Sequence, residues 1–129
     1  MNRLLLDTHV LIWTAQNSPR LSAKARELLD DPQNELSYSV ASLWEIGIKF
    51  GLRREDFLVD PDDLRAGLIS NEYQELPIFG THALFSARLP NLHKDPFDRL
   101  LVAQAMVEGQ TLVTADPMVA AYSPSIMKI

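Results

Sequence analysis

The chain has 129 residues, a formal charge of −5, 47% hydrophobic and 22% charged residues, and no cysteine. That length predicts one domain over residues 1–129 with a sizeable core, and the composition excludes disordered, collagen-like and coiled-coil classes. Zero cysteine excludes disulfides, zinc fingers and thiol nucleophiles, and no apolar run is long enough to span a bilayer.

The opening Met-Asn-Arg-Leu-Leu-Leu-Asp has no signal-peptide pattern, so a cytoplasmic protein with no membrane partner is expected. The acidic balance argues mildly against a nucleic-acid partner. That objection weakens if the acids are gathered in a metal site.

In chain order, Arg3 to Leu6 is a continuous apolar run that reads as a strand buried on both faces. Asp7 ends it, and Thr8 is the expected cap of a helix through Ala15, broken at Asn17-Ser18-Pro19. Ser22 caps a helix through Leu29, closed by Asp30-Asp31-Pro32. Leu36 to Val40 alternates as a second strand and runs into a helix from Ala41 to Phe50, stopped by Gly51. Leu52 to Asp60 has no period and reads as a surface loop. Asp60-Pro61 starts a helix, Glu75 to Ile78 reads as a short edge strand because it contains Pro77, and a helix follows from about His82 to Leu89. Asp95 is an N-cap with Pro96 at the first helical position, and Gly109 stops that helix. Thr111 to Thr114 is a β-branched, apolar strand, Pro117 to Tyr122 a helical turn, and Ser125 to Ile129 a last strand. Strands alternating with helices predict a parallel sheet covered on both faces.

Four acids stand out against this frame. Asp7 and Asp116 each follow an apolar strand, where a turn-forming aspartate is common and either alone means little. Asp98, at the third helical position after an Asp cap, reads on spacing alone as a capping-box variant. Yet it is in line with Leu101, Val102 and Ala105, so it should point inward, and no basic residue of its helix shares that face. Glu45 matches a Ser42-x-x-Glu45 capping box, but Ala41, Ile48 and Leu52 flank it on what should be the buried face.

Taken together, two acids end buried strands and two lie on inward helical faces, all at one edge of a sheet. Unpaired carboxylates do not gather without compensation, and Mg²⁺ or Mn²⁺ is the hard cation such oxygens prefer. Thr114 could add a hydroxyl, and Asp95 is either an outer acid or only the cap. His9, His82 and His93 lack paired ligand spacing and read as surface or helix-start residues. Trp13 and Trp44 fall on faces expected to be core.

Residues 4–13 (LLLDTHVLIW), 39–49 (SVASLWEIGIK), 93–105 (HKDPFDRLLVAQA) and 112–116 (LVTAD) resemble, in order and over nearly the whole chain, the PIN-domain ribonucleases. The subgroup most similar is the VapC toxins of type II toxin–antitoxin pairs. The resemblance implies a three-layer α/β/α fold with a central parallel sheet, and a Mg²⁺- or Mn²⁺-dependent endoribonuclease whose acidic quartet falls on Asp7, Glu45, Asp98 and Asp116, with Thr114 assisting. It also implies an RNA substrate, a small VapB-like antitoxin and a homodimer.

The mechanism expected is metal-assisted phosphodiester hydrolysis, with no histidine or covalent nucleophile. Lys49, Arg53, Arg54, Lys94 and Arg99 are basic candidates for the phosphate backbone, most of them expected to be solvated. Two other classes compete. A receiver domain needs paired acids after the first strand, whereas Thr8 follows Asp7. A non-catalytic binding module would use the acids only as caps.

Overall fold

The computed structural model describes residues 2–53 and 55–129. Its elements run β1 (Arg3–Leu6), α1 (Thr8–Ala15), α2 (Ala23–Asp30), β2 (Glu35–Ser39), α3 (Val40–Gly51), α4 (Pro61–Ser70), β3 (Gln74–Leu76), α5 (Gly80–Arg88), α6 (Pro96–Glu108), β4 (Thr111–Thr114), α7 (Pro117–Ala120) and β5 (Met127–Lys128). The five strands form one sheet in the order β3-β2-β1-β4-β5, and each pairing is parallel. β1 is central, with Leu4 opposite both Leu36 and Thr111. Its unbroken apolar run follows from that position, since neither face nor edge of a central parallel strand meets water.

Alternation of side chains sorts the core into two layers. Leu4 and Leu6 pack with Val10 and Leu11 of α1, Ala25 and Leu29 of α2, and Leu64 and Leu68 of α4. Leu5 faces the other way, onto Leu101, Val102 and Ala105 of α6 and Val119 of α7. Each fully buried leucine contributes about 2 kcal/mol, so the sandwich of sheet between helices is held chiefly by its apolar faces. The three-layer α/β/α fold with a central parallel sheet is therefore the one expected.

Several boundaries differ from the sequence reading, for local reasons. Asp7, not Thr8, caps α1, accepting from the Val10 N–H at 3.0 Å, while the Thr8 hydroxyl meets Ser42 Oγ at 3.0 Å. α3 starts one residue early because Ser39 is its cap, so Ser42 lies inside the helix and forms no capping box with Glu45. β3 lies at the sheet edge as expected but starts at Gln74 and ends at Leu76, before the ring of Pro77. Asp95 caps α6 with Pro96 in its first turn, as read. Among the described residues no helix is long and apolar enough to cross a membrane.

Gly109 closes α6 at φ +67°, the left-handed conformation that L side chains adopt only at a cost. A Gly109→Ala protein should lose about 1 kcal/mol of stability, read as a lower denaturant midpoint with unchanged slope. No atom lies within 4 Å of the added Cβ, so the loss is conformational and not a clash.

Candidate metal centre

Two of the four acids follow the carboxyl ends of central strands, and the other two come from α3 and α6. Asp7 leaves the carboxyl end of β1 and its N–H donates to the Val113 carbonyl at 3.0 Å, which ties it to the adjacent strand β4. Asp116 lies two residues beyond the end of β4. In sheets of this kind the crevice outside the strands' carboxyl ends is the usual place for ligands. α3 and α6 bring Glu45 and Asp98 toward the same end.

Thr114 connects two of these acids. Its hydroxyl donates to Asp7 Oδ2 and accepts from the Asp116 N–H at 3.0 Å, across a separation of 107 residues in the first case. Asp7 is 4% exposed, and burial pushes its carboxyl up, opposed by the Thr114 and Val10 hydrogen bonds. The charges of His9 and Asp116 also act on it, the first lowering and the second raising.

Asp98 projects from the first turn of α6, and its carboxyl is pushed up to about 6, by burial first and then by the charges of Asp95, Asp7 and Glu45. A hydrogen bond from His93 opposes that shift. Glu45 is 6% exposed; its Oε2 pairs with Lys49 Nζ at 3.1 Å, while Oε1 is buried without a hydrogen-bond partner among the described residues. Such an orphaned oxygen is costly unless something positive meets it.

Helix capping accounts for some of these carboxylate oxygens. Asp7 and Asp116 both cap helices, Asp116 through a 2.8 Å bond from the Met118 N–H, and Asp95 caps α6 through Phe97 and Asp98 N–H groups. Capping therefore explains one oxygen of Asp7 and one of Asp116. It explains neither Glu45 nor Asp98, whose side chains cap nothing.

His93 is the residue the sequence reading missed. It is half-buried, and its Nε2 lies 2.9 Å from Asp98 Oδ2 and 3.5 Å from Asp116 Oδ2. Among the described residues, His93, Asp98 and Asp116 form a group whose ligand atoms lie within 4.8 Å of one another; Asp7 and Glu45 stand outside that radius. The signal available was position: His93 lies two residues before the Asp95 cap, a place from which a side chain can fold back over the first turn of the helix. His82 is a helix-start residue as read, at the third position of α5, but not a surface one. It is fully buried between the Phe79 N–H and Glu108.

Other expectations need correction. Trp44 is 59% exposed and meets Phe97 edge to face at 5.1 Å. The buried stripe of α3 runs through Ala41, Ser42, Glu45 and Ile46, so at about 100° per residue Trp44 falls on the far side. Ile48 and Leu52 are also exposed, Ile48 at the border of that stripe and Leu52 past the helix end. Trp13 does pack against the core, with Arg20 over its ring. Arg99 is not a solvated charge: it bonds the carbonyls of Pro90, Ser86 and Leu89 and the Tyr122 hydroxyl. Lys94 and Arg53 are exposed, Lys49 pairs with Glu45, and Arg54 lies outside the described residues.

A cleft of about 420 Å³ opens beside the acids, lined by Glu45, Lys49, Lys94, Asp95 and Phe97 among others. A larger one, about 790 Å³, lies between α1, α2, α4 and the loop before α4, and none of the four acids lines it.

The family model described as PIN domain matches residues 4–123. The chain belongs to the PIN-domain family. No curated protein sequence matches this PIN domain significantly. Solved structures that share its fold include VapBC2 from Rickettsia felis bound to a DNA fragment from its promoter, at TM-score 0.69 and 16% identity over 98% of this chain and 97% of that one. VapBC-1 from nontypeable Haemophilus influenzae gives TM-score 0.66 and 18% identity over 98% and 96% of the two chains. DNA-bound VapBC from Salmonella typhimurium gives 0.66 and 19% over 100% and 98%. The sheet order and the helical layers of this PIN domain are thus those of a recurrent fold.

The donor set suits a hard divalent cation: carboxylate oxygens, one of them orphaned and buried, with no thiolate in the chain. Asp98 bears the electrostatic mark of the crowding, since three other carboxylates raise it.

Proposed function

We propose that this PIN domain is a Mg²⁺- or Mn²⁺-dependent endoribonuclease and the toxin of a type II toxin–antitoxin pair. The observation that carries the reading is the mutual influence of carboxylates at the end of β1, on α3, on α6 and in the β4–α7 turn, with Glu45 Oε1 unpartnered among the described residues and the Asp98 carboxyl pushed up to about 6. Asp7, Glu45, Asp98 and Asp116 would hold the ion. The VapBC structures that share the fold support an antitoxin partner, and a homodimer accompanies that reading.

When bound, the ion supplies Lewis acidity for an attacking water and for the charge that builds on the scissile phosphate. The chain's own residues prepare for this. Thr114 and the Val10 N–H fix the Asp7 carboxylate, and the Thr114 hydroxyl also accepts from the Asp116 backbone, so two acids from sequence positions far apart are held in one register. Burial first, and then the charges of Asp95, Asp7 and Glu45, hold Asp98 toward its protonated form, and a cation held by these oxygens would favour its charged form. Lys94, exposed on the adjoining cleft, and Lys49, paired with Glu45, offer positive charge to the RNA backbone on that side.

A single-stranded RNA incubated with the purified protein should be cut internally with Mg²⁺ or Mn²⁺ and left intact in excess EDTA. Cleavage undiminished by EDTA would overturn the metal reading. Expression without an antitoxin should slow growth, and Asp7→Ala should relieve it; equal growth arrest by both proteins would overturn the toxin reading. The non-catalytic alternative draws on the capping by Asp7 and Asp116, but it leaves Glu45 and Asp98 without a role.

A further inference from the structure

His93 has no part in the mechanism above, yet both its backbone and its ring are held by hydrogen bonds. Its backbone N–H donates to the Tyr122 hydroxyl at 3.0 Å, and that hydroxyl donates back to the His93 carbonyl at 3.4 Å. Tyr122 in turn accepts from Arg99 Nη1 at 3.1 Å, and the same guanidinium ties down the Ser86 carbonyl in the last turn of α5 and those of Leu89 and Pro90 just beyond it. The residue that carries the imidazole is thus anchored to the β4–α7–β5 side of the molecule while α6 begins three residues later.

The ring itself is oriented by a second contact. The Lys94 N–H donates to His93 Nδ1 at 3.1 Å. Nδ1 is therefore an acceptor, and the ring proton lies on Nε2, the atom between Asp98 Oδ2 and Asp116 Oδ2. A histidine that ligates a metal shows the reverse arrangement, with its lone pair toward the ion and its far N–H donated outward. His93 is built as a donor and not as a ligand.

We propose that His93 is a positioning residue of the ion site: its Nε2–H holds one oxygen of Asp98 and draws Asp116 toward it, so that the two carboxylates meet the ion already paired. The inference rests on the reading of the acids as an ion site, to which the unpartnered, buried Glu45 Oε1 gives independent support. It adds a residue outside the quartet and a support behind it, Arg99 to Tyr122 to His93. Hydrogen-bonded partners behind metal ligands typically govern affinity by about 10- to 100-fold, and that is the scale expected here.

The test is calorimetric titration with Mg²⁺ and with Mn²⁺, at fixed pH, of wild type, His93→Ala, His93→Gln, Tyr122→Phe and Asp98→Asn. His93→Ala should bind either ion about 10- to 100-fold more weakly, and His93→Gln, which restores an N–H donor, should recover most of the loss. Tyr122→Phe, which removes the anchor and not the donor, should weaken binding in the same direction and by less. Pulsed electron paramagnetic resonance of the Mn²⁺-loaded wild type should show no coupling to imidazole nitrogen. Affinity unchanged or raised in His93→Ala, no recovery in His93→Gln, or a nitrogen coupling that marks direct ligation would each overturn the proposal. If neither ion binds wild type and Asp98→Asn behaves identically, the ion site itself falls, an outcome distinct from any failure confined to His93. Circular dichroism of each variant identifies one that has lost its fold, in which case the nitrogen coupling in wild type decides.

Discussion

An Asp98→Asn protein is expected to cleave RNA at least about a hundredfold more slowly than wild type, with Asp7→Asn losing as much. The substitution keeps shape and removes charge. Asn at position 98 can still accept from His93 Nε2, so the turn before α6 should hold, while the oxygen facing the other acids no longer attracts a cation. At Asp7 the helix cap should also survive, because Asn caps as well as Asp. Loss of rate with retained fold is thus the diagnostic combination, followed as initial rates on a defined RNA across a Mg²⁺ series. Rates within a few-fold of wild type would remove that acid from the centre. Thr114→Val tests the bridge between the two strands. It leaves every acid present but frees the Asp7 carboxylate and the Asp116 N–H, so it should lower the rate through weaker ion binding that high Mg²⁺ partly restores.

Ion-free protein should grow more stable as pH falls from about 7.5 toward 5. Asp98 has a folded pKa of about 6 against an ordinary 3.8, and a raised carboxyl favours the fold fully below the ordinary value and ceases to do so as pH rises through the folded one. Asp7 is displaced in the same direction. Solvent reaches Asp98, which is 17% exposed, so the expected gain over that window is only about 1–2 kcal/mol. Below pH 5 the Asp98 gain continues toward its ordinary value and is opposed by Glu75, which Arg65 holds under its ordinary value and which loses that stabilisation as it takes up protons. Asp98→Asn should therefore melt higher than wild type without ion at pH 7.5, by a few degrees, and the gap should narrow to about half by pH 5. Mg²⁺ should raise the wild-type melting temperature with concentration and raise that of Asp98→Asn much less. A variant that is neutral or slightly destabilised, with an unchanged Mg²⁺ response, would mark Asp98 as a structural residue alone.

The layers and the sheet were legible because each element carried redundant signals. β1 is apolar without interruption, α6 has an Asp cap, a proline in its first turn and a closing glycine, and β4 is β-branched. The inward direction of Asp98 and Glu45 followed from helical spacing and agrees with their burial. Where single-element patterns were used to infer faces, they failed at the ends. Trp44, Ile48 and Leu52 look like core on an isolated helix, but what is core depends on where α3 meets the sheet. Ser42-x-x-Glu45 matched a capping box, but the chain begins that helix one turn earlier, at a serine that also ends a strand. His93 was missed for a different reason. Its role comes from contacts to a residue five positions on, to another 23 positions on, and to a tyrosine beyond that, and no periodicity encodes such a meeting.

The central place of β1 bears on when the site comes into being. Asp7 directly follows β1, but the strand that completes its surroundings is β4, and Thr114 reaches it across a sequence separation of 107. A growing chain that has not yet extended past Glu108 holds Asp7, Glu45 and Asp98 but neither Thr114 nor Asp116. Closing so long a loop is entropically unfavourable and is repaid only when both faces of the sheet are covered. Products truncated before β4 should accordingly lack the activity proposed for the molecule, because neither Thr114 nor Asp116 is present to complete the acidic centre.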